Sequence, residues 1–173
     1  INDFAVFKIN GQLIIFNRFG IFNEFGNFFF FQNNGQNADL ETIIIKNNVV
    51  SGFIFNNISP SDVTESALIE NNNSLHLPEN IFGWAGIEGD PNTVIRNNIT
   101  AYSNVGIRGW STPVTNNNLF WQNINNTIGG VSLDSSDIVA DPMFVNDTIP
   151  VYGGTYDYHL QKYSPAIDAG DTN

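Results

Sequence analysis

The sequence predicts an all-β fold of parallel strands wound as a solenoid, and three observations carry that prediction. Gly86-Ile87-Glu88-Gly89, followed after a short spacer by Asn97-Asn98-Ile99, recurs as Gly106-Ile107-Arg108-Gly109 followed by Asn117-Asn118-Leu119. A period of about 20 residues is the signature of stacked coils, each burying its inward side chains only against its neighbours. Asn is the second observation, at about one residue in six of the whole chain. It is poor inside helices and ordinary strands but accepts left-handed and tight-turn backbone, so its abundance predicts many regularly placed corners. Third, no segment carries a 3.6-residue apolar period longer than two turns.

Residues 1–40 are rich in Phe, Asn, Ile and Gly, with Phe16-Asn17-Arg18-Phe19-Gly20 echoed in Phe22-Asn23-Glu24-Phe25-Gly26. Phe is a core residue by habit, so this stretch reads as aromatic stacking inside the first coils, or else as an exposed aromatic patch. From residue 41 the coils are legible. Ile45-Lys46-Asn47-Asn48-Val49, Ile69-Glu70-Asn71-Asn72, Ile95-Arg96-Asn97-Asn98-Ile99 and Thr115-Asn116-Asn117-Asn118-Leu119 align at unequal spacings, as loops of variable length would give. Short strands are expected at Thr42–Ile45, Val94–Arg96 and Leu119–Trp121. The Asn pairs have a structural reason. One residue at each corner must be left-handed, and amides stacked about 4.8 Å apart can bond along the axis as a ladder. Asn48, Asn72, Asn98 and Asn118 are therefore read as structural.

Residues 1–130 are expected to form roughly six coils, at about 20–25 residues each, and residues 131–173 a capping segment over the open end, where edges would otherwise be exposed. Within that segment Ser164-Pro165 and Gly170 predict a single helical turn, with Ser as N-cap, Pro at the first helical position and Gly past the end.

The order of Asn-Asn-Leu-Phe-Trp at 117–121, Asp-Pro-Met-Phe-Val at 141–145, Tyr-His-Leu-Gln at 158–161 and Ser-Pro-Ala-Ile-Asp-Ala-Gly at 164–170 resembles the end of secreted right-handed parallel β-helix proteins of the pectate-lyase-like superfamily. Among these it is most similar to bacterial choice-of-anchor Q surface proteins. The resemblance is specific over about residues 113–170, extends more weakly back to about 41, and does not include 1–40. It implies a right-handed β-helix and an extracellular or cell-surface location. It also implies a chain that continues past the Asp-Ala-Gly turn, so the stop at Asn173 is expected to mark a truncated end.

Composition restricts partners. Seventeen acids against six basic residues give a net charge of −11, which repels phosphate backbones and makes nucleic acid a poor partner. The absence of cysteine excludes disulfides and thiolate metal sites, and no apolar run is long enough to predict a membrane-spanning helix. Acidic clusters could hold calcium, and Asp134, Asp137 and Asp141 are the candidates, although their spacing is not that of an EF-hand.

Two functions follow. The first is a scaffold or adhesive module that binds glycans, surfaces or copies of itself as an oligomer or filament. Trp84, Trp110 and Trp121 are candidate sugar-stacking residues on this reading, or core filler if they point inward. The second is a fragment of a polysaccharide lyase or glycoside hydrolase acting on acidic polysaccharide. A lyase on this fold resembles its relatives in needing a Lys or Arg base, with a cation on the uronate carboxylate. Lys46, Arg96 and Arg108 are the weak candidates. Against that role, Lys46, Glu70 and Arg96 share one coil position, as do Glu88 and Arg108, which predicts pairing of opposite charges between adjacent rungs. His76 and His159 lie in no nucleophile motif.

Overall fold

The structure is a computed structural model that describes residues 16–19, 29–32, 42–51, 54–57, 66–75, 85–89, 91–147 and 157–171, with side chains at Asn47 and from residue 67 onward. Every regular element among these residues is a strand. β1 (Phe16–Phe19), β2 (Phe29–Gln32), β3 (Thr42–Ser51) and β4 (Ile54–Asn57) come first. β5 (Ser66–Glu70), β6 (Asn73–Leu75) and β7 (Ile87–Gly89) make the next circuit, followed by β8 (Thr93–Arg96), β9 (Ile99–Ala101) and β10 (Val105–Gly109). β11 (Val114–Asn116), β12 (Leu119–Trp121) and β13 (Asn125–Gly129) make one more, and β14 (Ile138–Val139) follows. β15 (Phe144–Asn146) and β16 (Asp157–Leu160) form an antiparallel hairpin.

The parallel strands sort into three stacks that the chain visits in rotation. The first runs β1-β3-β5-β8-β11 and the third β2-β4-β7-β10-β13. The second is β3-β6-β9-β12-β14. β3 serves two stacks: Thr42–Lys46 pair with β5, Val49–Ser51 pair with β6, and the strand turns between them at left-handed Asn47 (φ 61°). The expected alignment is the observed register, Ile45 beside Ile69 beside Ile95 beside Thr115. Ile69 and Ile95 are wholly buried, each worth about 1.5–3 kcal/mol of burial.

At the corner Asn pairs the two residues divide the work. The first member takes the left-handed backbone, at Asn47, Asn71, Asn97 and Asn117, with φ between 53° and 61°. The second, at Asn72, Asn98 and Asn118, is buried and bonds along the axis. The amide of Asn72 donates to Asn98 Oδ1 (3.1 Å) and that of Asn98 to Asn118 Oδ1 (3.1 Å). Backbone N–H groups of Asn72 and Asn98 donate to the same two oxygens. A shorter column marks the next corner, where Tyr102 and Gln122 are left-handed and Ser103 N donates to Asn123 Oδ1 (3.1 Å).

The Gly-Ile-x-Gly repeat falls where the second and third stacks approach one another. A Cβ on Gly106 would come within 2.6 Å of the Asn126 carbonyl and 2.7 Å of Thr100 Oγ1, so no side chain fits there.

The second stack is buried on both faces. Ser74, Thr100 and Phe120 approach the third stack, where Ser74 Oγ donates to Gly86 O and Gly106 packs on Thr100 and Phe120. Leu75, Ile99, Ala101 and Leu119 are covered by Phe144, Tyr158, Leu160 and Ala166 of the C-terminal segment. Of the residues expected across the open end, 131–140 make the last described rung, and the described part of the C-terminal segment from 141 onward lies along the flank instead. It ties to two successive rungs, with Asn97 exchanging bonds with the Asp171 backbone (2.8 and 3.0 Å) and Asn117 Nδ2 donating to Ala169 O (3.0 Å). Val139, in line with buried Phe120, is 58% exposed on the last rung. The Ser164 turn forms with Ser164 Oγ accepting from Ala166 N, but no helix is made and its left-handed residue is Asp168 (φ 59°).

Candidate functional site

On the third stack, register brings Glu88 beside Arg108, and Trp110 follows at the strand's end. Glu88 is 1% exposed, and a buried carboxylate is costly unless its oxygens are satisfied. Oε1 accepts from Ala85 N (3.2 Å) and Arg108 Nη1 (3.2 Å), and Oε2 accepts from Trp110 Nε1 (3.1 Å). The Arg108 guanidinium carbon sits 5.6 Å from the centroid of the Trp110 ring, within range of a cation–π contact. Trp110 remains 63% exposed. The result is a large aromatic surface in solvent, oriented by its own N–H and by the cation beside it. Sequence reasoning placed Trp110 and paired Glu88 with Arg108, but it missed that one buried carboxylate joins the two. Trp110 lies two residues beyond Arg108 in the strand direction, and that same-face spacing was the available signal.

The other candidates fall elsewhere. Trp121 packs against the apolar cluster beneath the C-terminal segment, and Trp84 lies outside the described residues. Arg96 Nε is 3.0 Å from Glu70 Oε1 and its Nη1 is 3.7 Å from Asp171 Oδ2. Both arginines thus face acids on a neighbouring rung. Lys46 is in register with Glu70, but its side chain, like that of Asn48, is outside the described set.

Asp134, Asp137 and Asp141 bind backbone rather than converge. Asp137 Oδ1 accepts from Asn118 N (2.8 Å), Asp134 Oδ1 from Ser136 N (2.9 Å) and Oγ (2.7 Å), and Asp141 Oδ1 from Met143 N (2.7 Å). The Ser136 hydroxyl and amide hold the Asp134 carboxyl below the usual carboxylate range. Among the described residues, no three His, Cys, Asp or Glu side chains group in a way that could hold a metal ion. His159 is an exposed strand residue 2.5 Å from Asp157, and His76 is outside the described residues.

Two residues that tie the C-terminal segment were not found from sequence. Tyr102 donates its hydroxyl to Asp147, and burial followed by that bond pushes the phenol well above its ordinary pKa. Asp171 meets both Asn97 and Arg96. Neither has a sequence signal, because each contact joins stretches far apart in the chain. No helix among the described residues is long and apolar enough to cross a membrane. Comparison with protein-family models, curated proteins and solved structures returns no match.

Proposed function

We propose that the chain is a right-handed parallel β-helix acting outside the cell as a scaffold that holds a glycan through Trp110. The observation carrying the reading is the ring itself. An indole left mostly in water has its N–H satisfied by Glu88 and its position fixed beside Arg108. Little rotamer freedom remains to be lost when a sugar's C–H face stacks on it, and rigid aromatic surface of this kind contributes most of the energy at many binding sites. The stacked strands supply the rigid platform.

Nothing comparable favours the lyase or hydrolase reading. The two described arginines that could act as base or clamp each face a carboxylate. Affinity electrophoresis through gels of neutral and acidic polysaccharides tests the proposal. Retardation in at least one gel is expected, with Trp110→Ala losing about tenfold or more in affinity. Equal mobility of the two proteins in every gel overturns it.

A further inference from the structure

We propose that Asp137 is an end-stop, a residue that keeps the last rung from accepting a further rung supplied by a second copy of the chain. The Asn column runs in one direction along the stack. Each Asn in it sends both its backbone N–H and its Nδ2 to the Oδ1 of the next rung, from Asn72 to Asn98 and from Asn98 to Asn118. The column therefore has a polarity: each Oδ1 accepts from the earlier rung, and each backbone N–H donates to the later one, while Nδ2 donates both onward and back to a carbonyl of the earlier rung.

At 137 both onward donors are withdrawn. Oδ1 takes the usual pair from Asn118, its backbone N–H at 2.8 Å and Nδ2 at 3.4 Å. A carboxylate has no N–H to pass on, and Oδ2 instead accepts from Asp134 N (2.9 Å). The backbone N–H of Asp137 turns back to Asp134 O (3.1 Å). An Asn here would set an N–H₂ against the Asp134 N–H, donor against donor, so the acid is what this turn requires.

Among the described residues no strand pairs beyond β11, β13 or β14, and unpaired edges template further pairing. Val139 is 58% exposed there. The partner that fits is a second copy. Among the described residues the first strands of the first and third stacks are β1 and β2, which run parallel to the last described strands of those stacks. Head-to-tail docking of that kind would be heterologous and would not close, giving filaments rather than a defined dimer.

Sedimentation velocity over a wide concentration range, on the full chain, decides the matter. Wild type is expected to show weak self-association or none. Asp137→Asn removes the charge and, by opposing its N–H₂ to the Asp134 N–H, opens the turn that withdraws the onward donors, and should strengthen association about tenfold or more. Asp137→Ser, whose hydroxyl can both accept and donate, should move the same way and serves if the Asn variant fails to fold by circular dichroism. A folded variant that associates no more strongly than wild type overturns the proposal. So does a wild-type filament whose affinity neither substitution changes.

Discussion

The rungs and the segment that flanks them are held by opposite strategies. Among the described residues between 66 and 139, contacts recur from rung to rung: an isoleucine on an isoleucine, an amide on an amide, an acid on a base. Among those between 141 and 171 the contacts are made once. Phe144 inserts once, Asp171 meets Asn97 once, and Tyr102 reaches Asp147 once. The two members of each Asn pair sit on the boundary, since the second builds the column while the first turns the chain and, at Asn97 and Asn117, holds the flank. A repeated contact supports its neighbours, so losing one should damage the whole stack. A unique contact should fail locally.

The largest effect is therefore expected at Asn98. In Asn98→Ala the donors of Asn72 lose their acceptor, while Asn118 Oδ1 and the carbonyls of Ile69 and Arg96 lose a donor. At about 1–3 kcal/mol for each buried group left unsatisfied, the loss is ~4 kcal/mol or more. Urea unfolding should show a large fall in midpoint or no cooperative transition. Asn97→Ala, one residue away, gives up a left-handed residue and its bonds to Asp171, and should cost about 1–2 kcal/mol. Equal losses at 97 and 98 would erase the distinction between column and flank.

Phe144→Ala comes next. The ring is buried against Leu75, Ile99, Ala101 and Leu119, and stands edge-on to Tyr158 with centroids 5.3 Å apart. Its removal should cost about 3 kcal/mol. Hydrogen exchange tells where: the C-terminal segment should lose protection while the backbone amides of Ile99 and Leu119, which donate across rungs, keep theirs. Uniform loss across both regions would make the flank part of the same cooperative unit.

The same contrast explains what the sequence could reveal. The strand register, the corner positions and the pairing of Glu88 with Arg108 were legible because each is written several times at a fixed spacing. The position of the C-terminal segment was not. Its apolar residues announce burial against something, but an end and a flank of a solenoid are both apolar, and only tertiary contacts such as Asn117 to Ala169 distinguish them. Asp137 shows the limit in one residue. Its acid suggested calcium because the column was read as Asn alone; a position one rung beyond Asn118 was the cue that the column ends there. Trp121 was placed with Trp110 on residue type, and the C-terminal segment that covers it has no marker in its neighbourhood.

The smallest effect is a pH dependence confined to the boundary between the two regions. Tyr102 donates to Asp147 only while its phenol is protonated, and the fold holds that proton more tightly than an unfolded chain would. A folded pKa above the unfolded one contributes stability that is complete below the unfolded value, about 10. As pH rises past it the unfolded chain ionises first, so the contribution declines through the alkaline range. Other groups titrate there too, so the measurement is a difference. Thermal unfolding of wild type and Tyr102→Phe should differ by a constant amount from neutral pH to about pH 9.5, and converge above it. Because Asp147 belongs to the flank, chymotryptic cleavage of the C-terminal segment should rise over the same interval before the rungs unfold. A gap that stays constant to the highest pH would mean that the hydroxyl bond is not what fastens this part of the flank.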